Sequence, residues 1–167
     1  MLRLTKLPPG LGVAEPAVLL ATWFGAGRMP FASGTWGSAA ALPFAYGLLR
    51  LGGPLALGIA ALALFVIGVW AAGVYCRRSG IGDPGAIVID EVVGQFLTLT
   101  VAAPTPFAFA VGFVLFRLFD VVKPWPASWA DRAVKGGLGV MLDDVFAAIY
   151  AGGVLWGIEW GTQRWLS

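Results

Sequence analysis

Two long apolar runs constrain the fold of this 167-residue chain more than any other feature of its sequence. They extend over residues 53–76 and 140–160. Each is long enough to cross the hydrocarbon core of a bilayer, which requires about 20 residues of α-helix. The composition agrees, because 59% of the residues are hydrophobic and only 12% are charged, far from the average of soluble domains. The sequence therefore predicts an integral membrane protein.

Shorter apolar runs near the N-terminus bear on the number of crossings. Residues 37–51 contain Pro43, but Trp36 can anchor one end at an interface and Arg50 can reach water from the other. We therefore predict a third crossing there. Residues 16–26 are too short to cross and are expected to lie in the interface.

The apolar segment from residue 92 to residue 116 is interrupted by Pro104 and Pro106. It forms either one kinked crossing or two short helices joined by a tight turn. We prefer the hairpin, because it leaves only Arg50 and Arg164 outside and puts the other basic residues of the loops on the N-terminal side, in accord with the positive-inside rule. Those residues are Arg28, Arg77, Arg78, Arg117, Lys123, Arg132 and Lys135.

The hairpin brings three polar loops together at the cytoplasmic face. These loops cover about residues 27–36, 77–91 and 117–144. A single crossing would instead place the acidic residues of the second and third loops on opposite sides of the membrane. Because most of the chain is spent on apolar segments, we predict one membrane-embedded domain that comprises residues 1–167.

The sequence argues against a nucleic-acid partner and against an internal disulfide. The net charge is +2, and the basic residues are scattered through loops without forming a stripe, so we expect no nucleic-acid partner. The single cysteine, Cys76, cannot form an internal disulfide and is expected to be a small core residue.

Acidic residues cluster at the ends of the apolar runs, and the first cluster contains Asp83, Asp90 and Glu91. Asp83 precedes a proline, which is typical of a helix N-cap. A helix that starts there would carry Asp90 two turns later on nearly the same face. A cap does not explain Asp90 and Glu91, because a carboxylate flanked by apolar residues at a membrane needs a partner charge or a metal.

The second cluster lies around the end of the predicted hairpin. Arg117, Asp120 and Lys123 are spaced three residues apart and would share one face of a helix. They could simply form a ladder of ion pairs along the helix, with no further role. Such ladders usually lie on solvated faces, however, whereas this one ends an apolar run. Pro124 is expected to end the helix and to leave the Lys123 ammonium free to meet an anion.

The third cluster is the pair Asp143 and Asp144, which lies at the start of the last apolar run. Two adjacent acids exceed what the helix dipole requires and can hold a hard cation. Gly136 and Gly137 precede them, and glycines before a helix allow backbone amides to approach a phosphate. The first polar loop, with Thr35, is rich in glycine and hydroxyl groups and could contact the same anion.

Elimination narrows the chemistry that these residues permit. The chain has no histidine, so imidazole acid–base catalysis is excluded. Cys76 lacks the loop and spaced arginine of cysteine phosphatases, and no Asp-x-Asp pair provides a phosphorylated aspartate motif. Clustered carboxylates with Lys and Arg remain, and this combination is typical of magnesium-dependent phosphoryl transfer.

The polar clusters belong to a longer series of motifs over about positions 16–155. These are Asp83, Val88-Ile89-Asp90-Glu91, Gly94, Phe116-Arg117-Leu118-Phe119-Asp120, Lys123-Pro124-Trp125-Pro126, Asp131-Arg132, Gly136-Gly137, Gly139, Met141 and Asp143-Asp144, with Gly34-Thr35 and Gly37-Ser38 upstream. In order and spacing, this series resembles the phosphatidylglycerophosphatase A family. Ser33 stands where we expect a proline, and Arg28 is an unexpected charge, but both bear on the shape of the first loop and not on the carboxylates.

The resemblance implies an all-α helical bundle in the bacterial inner membrane, with several crossings, short or re-entrant helices, and active-site loops that face the cytoplasm. It also implies a hydrolase of phosphatidylglycerol biosynthesis. This lipid phosphatase would remove the terminal phosphate of the phospholipid phosphatidylglycerophosphate with Mg²⁺ as cofactor. Either a water activated by magnesium or, as the less favoured alternative, one aspartate would attack the phosphorus.

The resemblance further implies roles for individual residues. The expected catalytic and metal-binding carboxylates are Asp83, Asp90, Glu91, Asp143 and Asp144. Asp120 is expected to act in catalysis by orienting Arg117 or Lys123. The expected substrate-binding residues are Lys123, Arg117, Arg132, Thr35, Gly136 and Gly137.

Two other functions are compatible with acids near a membrane. A CDP-alcohol phosphotransferase also uses acids and magnesium, but its Asp-Gly-x-x-Ala-Arg block is absent from this sequence. A small ion- or proton-coupled carrier could use the clustered carboxylates. A carrier of this kind is expected to contain an inverted repeat, and the sequence shows none.

Overall fold

The computed structural model describes the backbone of residues 4–166 and the side chains of residues 4–162. The side chain of Arg164, which we assigned to the outer face, lies outside the described residues. Within the described part the chain forms helices and no strands, so the predicted all-α fold is confirmed. The helices are α1 (Pro16–Ala21), α2 (Ser33–Ser79), α3 (Ile89–Leu99), α4 (Pro106–Val122), α5 (Ala127–Ala133) and α6 (Gly136–Leu166), with a 3-10 turn at Ala26–Arg28.

Helix α2 is divided at Gly53 into two halves, residues 33–52 and 54–79. The φ of 66° and ψ of −165° at Gly53 lie outside the helical region, in a conformation that glycine adopts without a steric penalty. Pro54 begins the second half, where its missing amide hydrogen costs nothing. The two apolar runs predicted on either side of this point are therefore separate helical segments.

The two halves of α2 run in opposite directions. Gly37 in the first half packs against Val88, which caps α3, and Gly68 in the second half packs against Ile89, the first residue of α3. Because both glycines lie at similar distances along the chain from Gly53, the chain must reverse at that residue. Both ends of α2 therefore lie beside the start of α3.

Helices α3 and α4 form the predicted hairpin. Thr105 caps α4 by accepting a hydrogen bond from the backbone amide three residues later, at 3.2 Å, and Pro106 starts the helix. Near the turn Leu99 packs on Gly112, and at the other end Gly94 packs on Phe116. The helices are thus antiparallel, and the prediction of two short helices joined by a turn is confirmed.

The exterior of the bundle is suited to lipid. Helix α2 and the Gly136–Thr162 part of α6 are long and apolar enough to cross a membrane, by length and composition. Leu51, Leu55 and Leu62 of α2 expose 90%, 75% and 66% of their surface. An apolar surface of this kind is unusual on a soluble monomer and ordinary on a helix that faces acyl chains. The fold is that of a helical membrane protein.

One prediction about the second polar loop is wrong. Asp83 does not cap a helix that contains Asp90, because α3 begins only at Ile89. The preceding residues are held in turns: the Ile87 amide donates to the Pro84 carbonyl at 2.9 Å, and the Val88 amide donates to a carbonyl at the end of α1 at 2.8 Å. Neither amide donates to the carbonyl four residues earlier, as it would in an α-helix.

The third polar loop is also more ordered than predicted. Helix α4 continues to Val122, α5 follows, and α6 begins at Gly136, so most of residues 117–144 is helical. One end of the bundle contains both ends of α2, the start of α3, the end of α4 and the start of α6. We call it the polar end. A hydrogen bond of 2.5 Å from the Ser33 hydroxyl to the Gly85 carbonyl joins the first loop to the second there.

Replacing Gly137 by Ala is expected to lower the free energy of unfolding by about 1–3 kcal/mol, the typical cost of overpacking. A Cβ at Gly137 would overlap the Val69 carbonyl oxygen and lie 2.6 Å from the Gly73 amide nitrogen, and backbone cannot move aside cheaply. Thermal unfolding in detergent measures the effect. Gly153→Ala on the same helix is the control, because a Cβ there meets nothing within 4 Å. Equal melting temperatures for the two variants would contradict this packing.

Candidate active site

Three carboxylates converge at the polar end of the bundle. Asp90 and Glu91 lie in the first turn of α3, and Asp144 lies about two turns into α6, which packs beside it. One oxygen from each lies within 4.8 Å of the others. We call these three residues the carboxylate site. Like charges this close repel one another in a poorly hydrated interior, so the arrangement favours a bound cation.

Oxygen atoms of the carboxylate site are available as ligands. Asp90 Oδ1, Glu91 Oε2 and Asp144 Oδ2 are buried and accept no hydrogen bond from any described residue. Buried acceptors without a partner are rare in folded proteins, and coordination of a cation would satisfy all three. Hard carboxylate oxygens are the ligands that Mg²⁺ prefers. The residues present therefore fit a magnesium ion.

Two glycines allow the helices to approach closely enough to form this site. A Cβ at Gly34, in the first turn of α2, would overlap Glu91 Oε1. A Cβ at Gly94 would overlap the Phe116 ring and lie 3.2 Å from the Asp144 carbonyl oxygen. The site therefore keeps this geometry only with a residue that lacks a side chain at both positions.

Arg117 and Asp120 form an ion pair beside the carboxylate site. Arg117 Nη1 lies 2.5 Å from Asp120 Oδ2 and 3.8 Å from Glu91 Oε1. Asp120 is 8% exposed, so the pair is largely shielded from solvent. Arg117 thus places a positive charge beside two acids and fixes their positions. Its contact with Asp120 agrees with the predicted pairing of these two residues.

Lys123 follows the last residue of α4, so the predicted end of the helix before Pro124 is confirmed. It caps the helix in the left-handed region, with a φ of 46°, and it does not extend the pair of Arg117 and Asp120 into a ladder. Its ammonium donates to Asp131 Oδ1 at 2.7 Å and to Asp143 Oδ2 at 2.5 Å. Burial lowers the pKa of Lys123, but the two carboxylates outweigh that effect and hold the pKa above its usual value. The ammonium therefore remains charged at neutral pH.

The three residues of the carboxylate site line a cavity of about 320 Å³, which we call the acidic pocket. Its lining includes seven carboxylates and two ammonium groups. A pocket with this charge would repel an anion unless a cation were bound with it. The charged lining residues are Asp83, Asp90, Glu91, Asp120, Asp131, Asp143 and Asp144, together with Lys123 and Lys135.

The five carboxylates predicted to bind metal all line the acidic pocket, but in different positions. Only Asp90, Glu91 and Asp144, among the residues that the structure describes, are close enough to share one ion. Asp143 is paired with Lys123, and Asp83 is the most exposed of the five. Desolvation by the surrounding protein raises the pKa of Asp83, although Lys123 opposes the shift.

The predicted substrate-binding residues divide into two groups. Lys123 and Gly136 line the acidic pocket. Thr35, Arg117 and Arg132 do not line it. Arg117 is paired with Asp120, and Arg132 donates to the Ser128 carbonyl at 2.8 Å. Gly137 belongs to the first turn of α6 and is buried against α2, where it serves helix packing.

Three lining residues with polar or charged side chains were not assigned to the site from the sequence: Ser33, Asp131 and Lys135. Asp131 was visible as an acid near the second cluster, but its role depends on the turn at Lys123, which directs the ammonium toward it. Lys135 immediately precedes α6, and its four-residue spacing from Asp131 was the only available signal.

Gln95 is a polar residue in the bundle interior, one helical turn below Glu91. It is fully buried, and neither its amide nitrogen nor its amide oxygen has a partner among the described residues. The four-residue spacing puts the amide on the same face of α3 as the Glu91 carboxylate. Outer groups that orient metal-binding carboxylates typically contribute about 10- to 100-fold to metal affinity or activity.

We expect Gln95→Met, which keeps the volume and removes the amide, to weaken binding of a divalent cation at the carboxylate site about tenfold. Direct titration of the purified protein with Mn²⁺, followed by its paramagnetic signal, measures the change. Thr98→Val is the matched control, because Thr98 lies one turn further from the site and its hydroxyl already donates to the Gly94 carbonyl. An unchanged titration in Gln95→Met would show that the amide does not act on Glu91.

Lys123→Gln is expected to lower kcat about 100-fold, since it leaves Asp143 buried without a counter-charge and removes a cation from the acidic pocket. Lys123→Arg, which keeps the charge, should recover part of the loss. Steady-state kinetics measure both variants. Full activity in Lys123→Gln would exclude a role for this ammonium in the reaction.

The chain is similar to known proteins over most of its length. Residues 19–159 match the family model described as phosphatidylglycerophosphatase A. A phosphatidylglycerophosphatase A of Escherichia coli is 40% identical over 147 residues, which cover 87% of this chain and 85% of that protein. The protein of the same name from Haemophilus influenzae is 36% identical over 151 residues, with coverage of 90% and 93%.

A third relative, from Bacteroides thetaiotaomicron, bears the provisional name of a phosphatidylinositol-3-phosphatase. It is 38% identical over 141 residues, which cover 80% of this chain and 87% of that protein. No solved structure matches the chain significantly. The matched region contains every acidic residue that lines the acidic pocket.

Proposed function

Because the chain belongs to the phosphatidylglycerophosphatase A family, we propose that it removes the terminal phosphate of phosphatidylglycerophosphate in a magnesium-dependent reaction that yields phosphatidylglycerol. The chain is an enzyme of the phosphoric monoester hydrolase class. The observation that carries the proposal is the carboxylate site, with its buried oxygen atoms that lack hydrogen-bond partners among the described residues.

Magnesium dependence is supported by the charge of the acidic pocket. A phosphomonoester is an anion, and the surplus of carboxylates in the pocket would repel it. We propose that Asp90, Glu91 and Asp144 hold the ion, and that Asp83 and Asp143 complete its surroundings. When bound, magnesium supplies Lewis-acid stabilisation of negative charge on the phosphoryl oxygens.

The remaining residues act on the phosphate and on each other. Lys123 and Lys135 provide ammonium groups that attract the phosphate into the pocket. Arg117 keeps Asp120 and Glu91 in position. Asp83 lines the pocket and is exposed to incoming water, so it is suited to accept the proton of the attacking water. Attack on phosphorus then breaks the phosphate ester bond, and the alcohol of the lipid headgroup takes up a proton as it leaves.

The cellular location follows from the same proposal. A bacterial inner-membrane enzyme with several crossings and its polar end in the cytoplasm could act on a lipid whose acyl chains remain in the bilayer.

Thr105 and Ser128 lie on opposite sides of the membrane in this topology. In a variant that lacks Cys76, we expect Thr105→Cys to react with an impermeant thiol reagent in intact cells and Ser128→Cys to react only after lysis. Reaction of both in intact cells would exclude this topology.

Phosphate release from phosphatidylglycerophosphate by detergent-purified protein tests the activity. We expect release with magnesium and none with EDTA. Phosphatidylinositol 3-phosphate should be assayed in parallel, because one relative is provisionally named for it. Preference for that lipid would keep the reaction class and change the substrate. Absence of release from either lipid by folded protein would overturn the proposal.

The same preparation tests the two other functions. Uptake of an ion into vesicles, without phosphate release, would support a carrier. Release of CMP from a CDP-linked lipid would support an alcohol phosphotransferase.

A further inference from the structure

A second cavity, which we call the outer cavity, adjoins the acidic pocket at the polar end. It has a volume of about 410 Å³ and shares Ser33, Asp83 and Gly85 with the acidic pocket as lining residues. The hydrogen bond from the Ser33 hydroxyl to the Gly85 carbonyl runs between residues that line both cavities. The two cavities are therefore separated by no more than these shared residues.

The N-terminal segment forms one wall of the outer cavity and is fixed by Arg28. The Thr5 amide donates to the Arg28 carbonyl at 2.7 Å, and Arg28 Nε donates to the Thr5 carbonyl at 3.1 Å. This pairing explains the charge at position 28 that was unexpected from the sequence. It holds the next residue, Lys6, at the cavity.

Lys6 is a cation without a counter-charge among the described residues. No described carboxylate lies within 4.0 Å of its ammonium, and the described residues give it no hydrogen bond, whereas Lys123 in the acidic pocket contacts two carboxylates. An unpaired ammonium at a cavity is available to bind an anion.

The rest of the lining suits the glycerol region of a lipid. Met29, Phe31 and Ile81 contribute apolar surface next to Lys6. Phe31 is 59% exposed and packs edge to face on Trp36, with ring centroids 6.3 Å apart. Exposed aromatic residues of this kind are typical of the level at which lipid headgroups meet acyl chains. The outer cavity thus combines Lys6 and an apolar wall with a single carboxylate, Asp83, which it shares with the acidic pocket.

Building on the proposed function, we propose that the outer cavity binds the phosphodiester and glycerol backbone of the lipid whose terminal phosphate enters the acidic pocket, and that Lys6 pairs with the phosphodiester. The substrate carries two phosphate groups separated by a glycerol unit. The acidic pocket has a surplus of negative charge, so the inner phosphate needs a cation elsewhere. Lys6 provides that cation in the adjoining space.

Steady-state kinetics of Lys6→Gln and Lys6→Glu test the proposal. We expect KM for phosphatidylglycerophosphate to rise about tenfold in Lys6→Gln, with a larger rise in Lys6→Glu and little change in kcat. Glycerophosphoglycerol, a soluble diester without a terminal phosphate, should inhibit the wild-type protein and inhibit Lys6→Gln more weakly. Inhibition by inorganic phosphate should be the same in both.

Arg77→Gln is the matched control, because Arg77 is an exposed cation at the end of α2 that lines neither cavity. Met29→Trp keeps Lys6 but fills the outer cavity, and it should also raise KM. Equal KM values in wild type, Lys6→Gln and Met29→Trp would overturn the proposal. If the wild-type protein itself releases no phosphate from this lipid, the proposed function fails first, so the two failures are distinguishable.

Discussion

Glu91→Gln and Asp144→Asn will each lower kcat for phosphate release about 10³-fold, because each removes one of the three carboxylates that approach one another closely enough to share an ion. The amide keeps the shape of the side chain and loses the negative charge. Direct titration of the purified protein with Mn²⁺, followed by its paramagnetic signal, should show weaker ion binding in both variants. This second readout separates loss of the ion from other damage.

Glu159→Gln is the matched control for these substitutions. It changes a carboxylate on the same helix as Asp144, but at the far end, where Glu159 accepts a hydrogen bond from the Ala103 amide at 3.4 Å. We expect its activity and ion affinity to equal those of the wild type. Asp143→Asn should cost less than Asp144→Asn, since Asp143 is paired with Lys123. Normal ion binding in both Glu91→Gln and Asp144→Asn would rule out the carboxylate site as the cation site.

The sequence was informative where apolar length and proline position decide the structure. The apolar runs predicted both halves of α2, and Pro104 and Pro106 correctly marked the turn between α3 and α4. The acids at the ends of the apolar runs also meet at one cavity. A carboxylate at a membrane surface is costly, so chains retain such residues mainly where they have a use. All six acids predicted to be catalytic line the acidic pocket.

The sequence was less informative where contacts between distant segments override local preference. Asp83 before a proline has the local pattern of a cap, yet a hydrogen bond from Val88 to the end of α1 keeps the intervening residues out of a helix. Lys123 has the spacing of a helical ladder, yet two carboxylates from later in the chain hold its ammonium. Gly137 has the pattern of a phosphate-binding loop, yet it is needed for close packing on Gly73. None of these partners can be identified from neighbours in the sequence.

Gly34→Ala should abolish most of the activity, about 100-fold or more, while leaving the protein folded. The added Cβ would overlap Glu91 Oε1 and lie 2.9 Å from Arg117 Nη1. Both atoms are at the ends of flexible side chains, so they can move aside at little cost to stability. The movement would, however, take the Glu91 carboxylate away from Asp90 and Asp144.

Gly47→Ala is the control for this substitution. It lies in the same half of α2 as Gly34, and a Cβ there meets nothing within 4 Å, so the variant should keep full activity and gain slightly in helix stability. Thermal unfolding and phosphate release should be measured on both variants. A Gly34→Ala protein with wild-type melting and little activity is the expected result, and it would separate the positioning of Glu91 from the stability of the bundle. Wild-type activity in Gly34→Ala would mean that the Glu91 carboxylate can leave its observed position without effect, and the carboxylate site would then need to be redrawn without it.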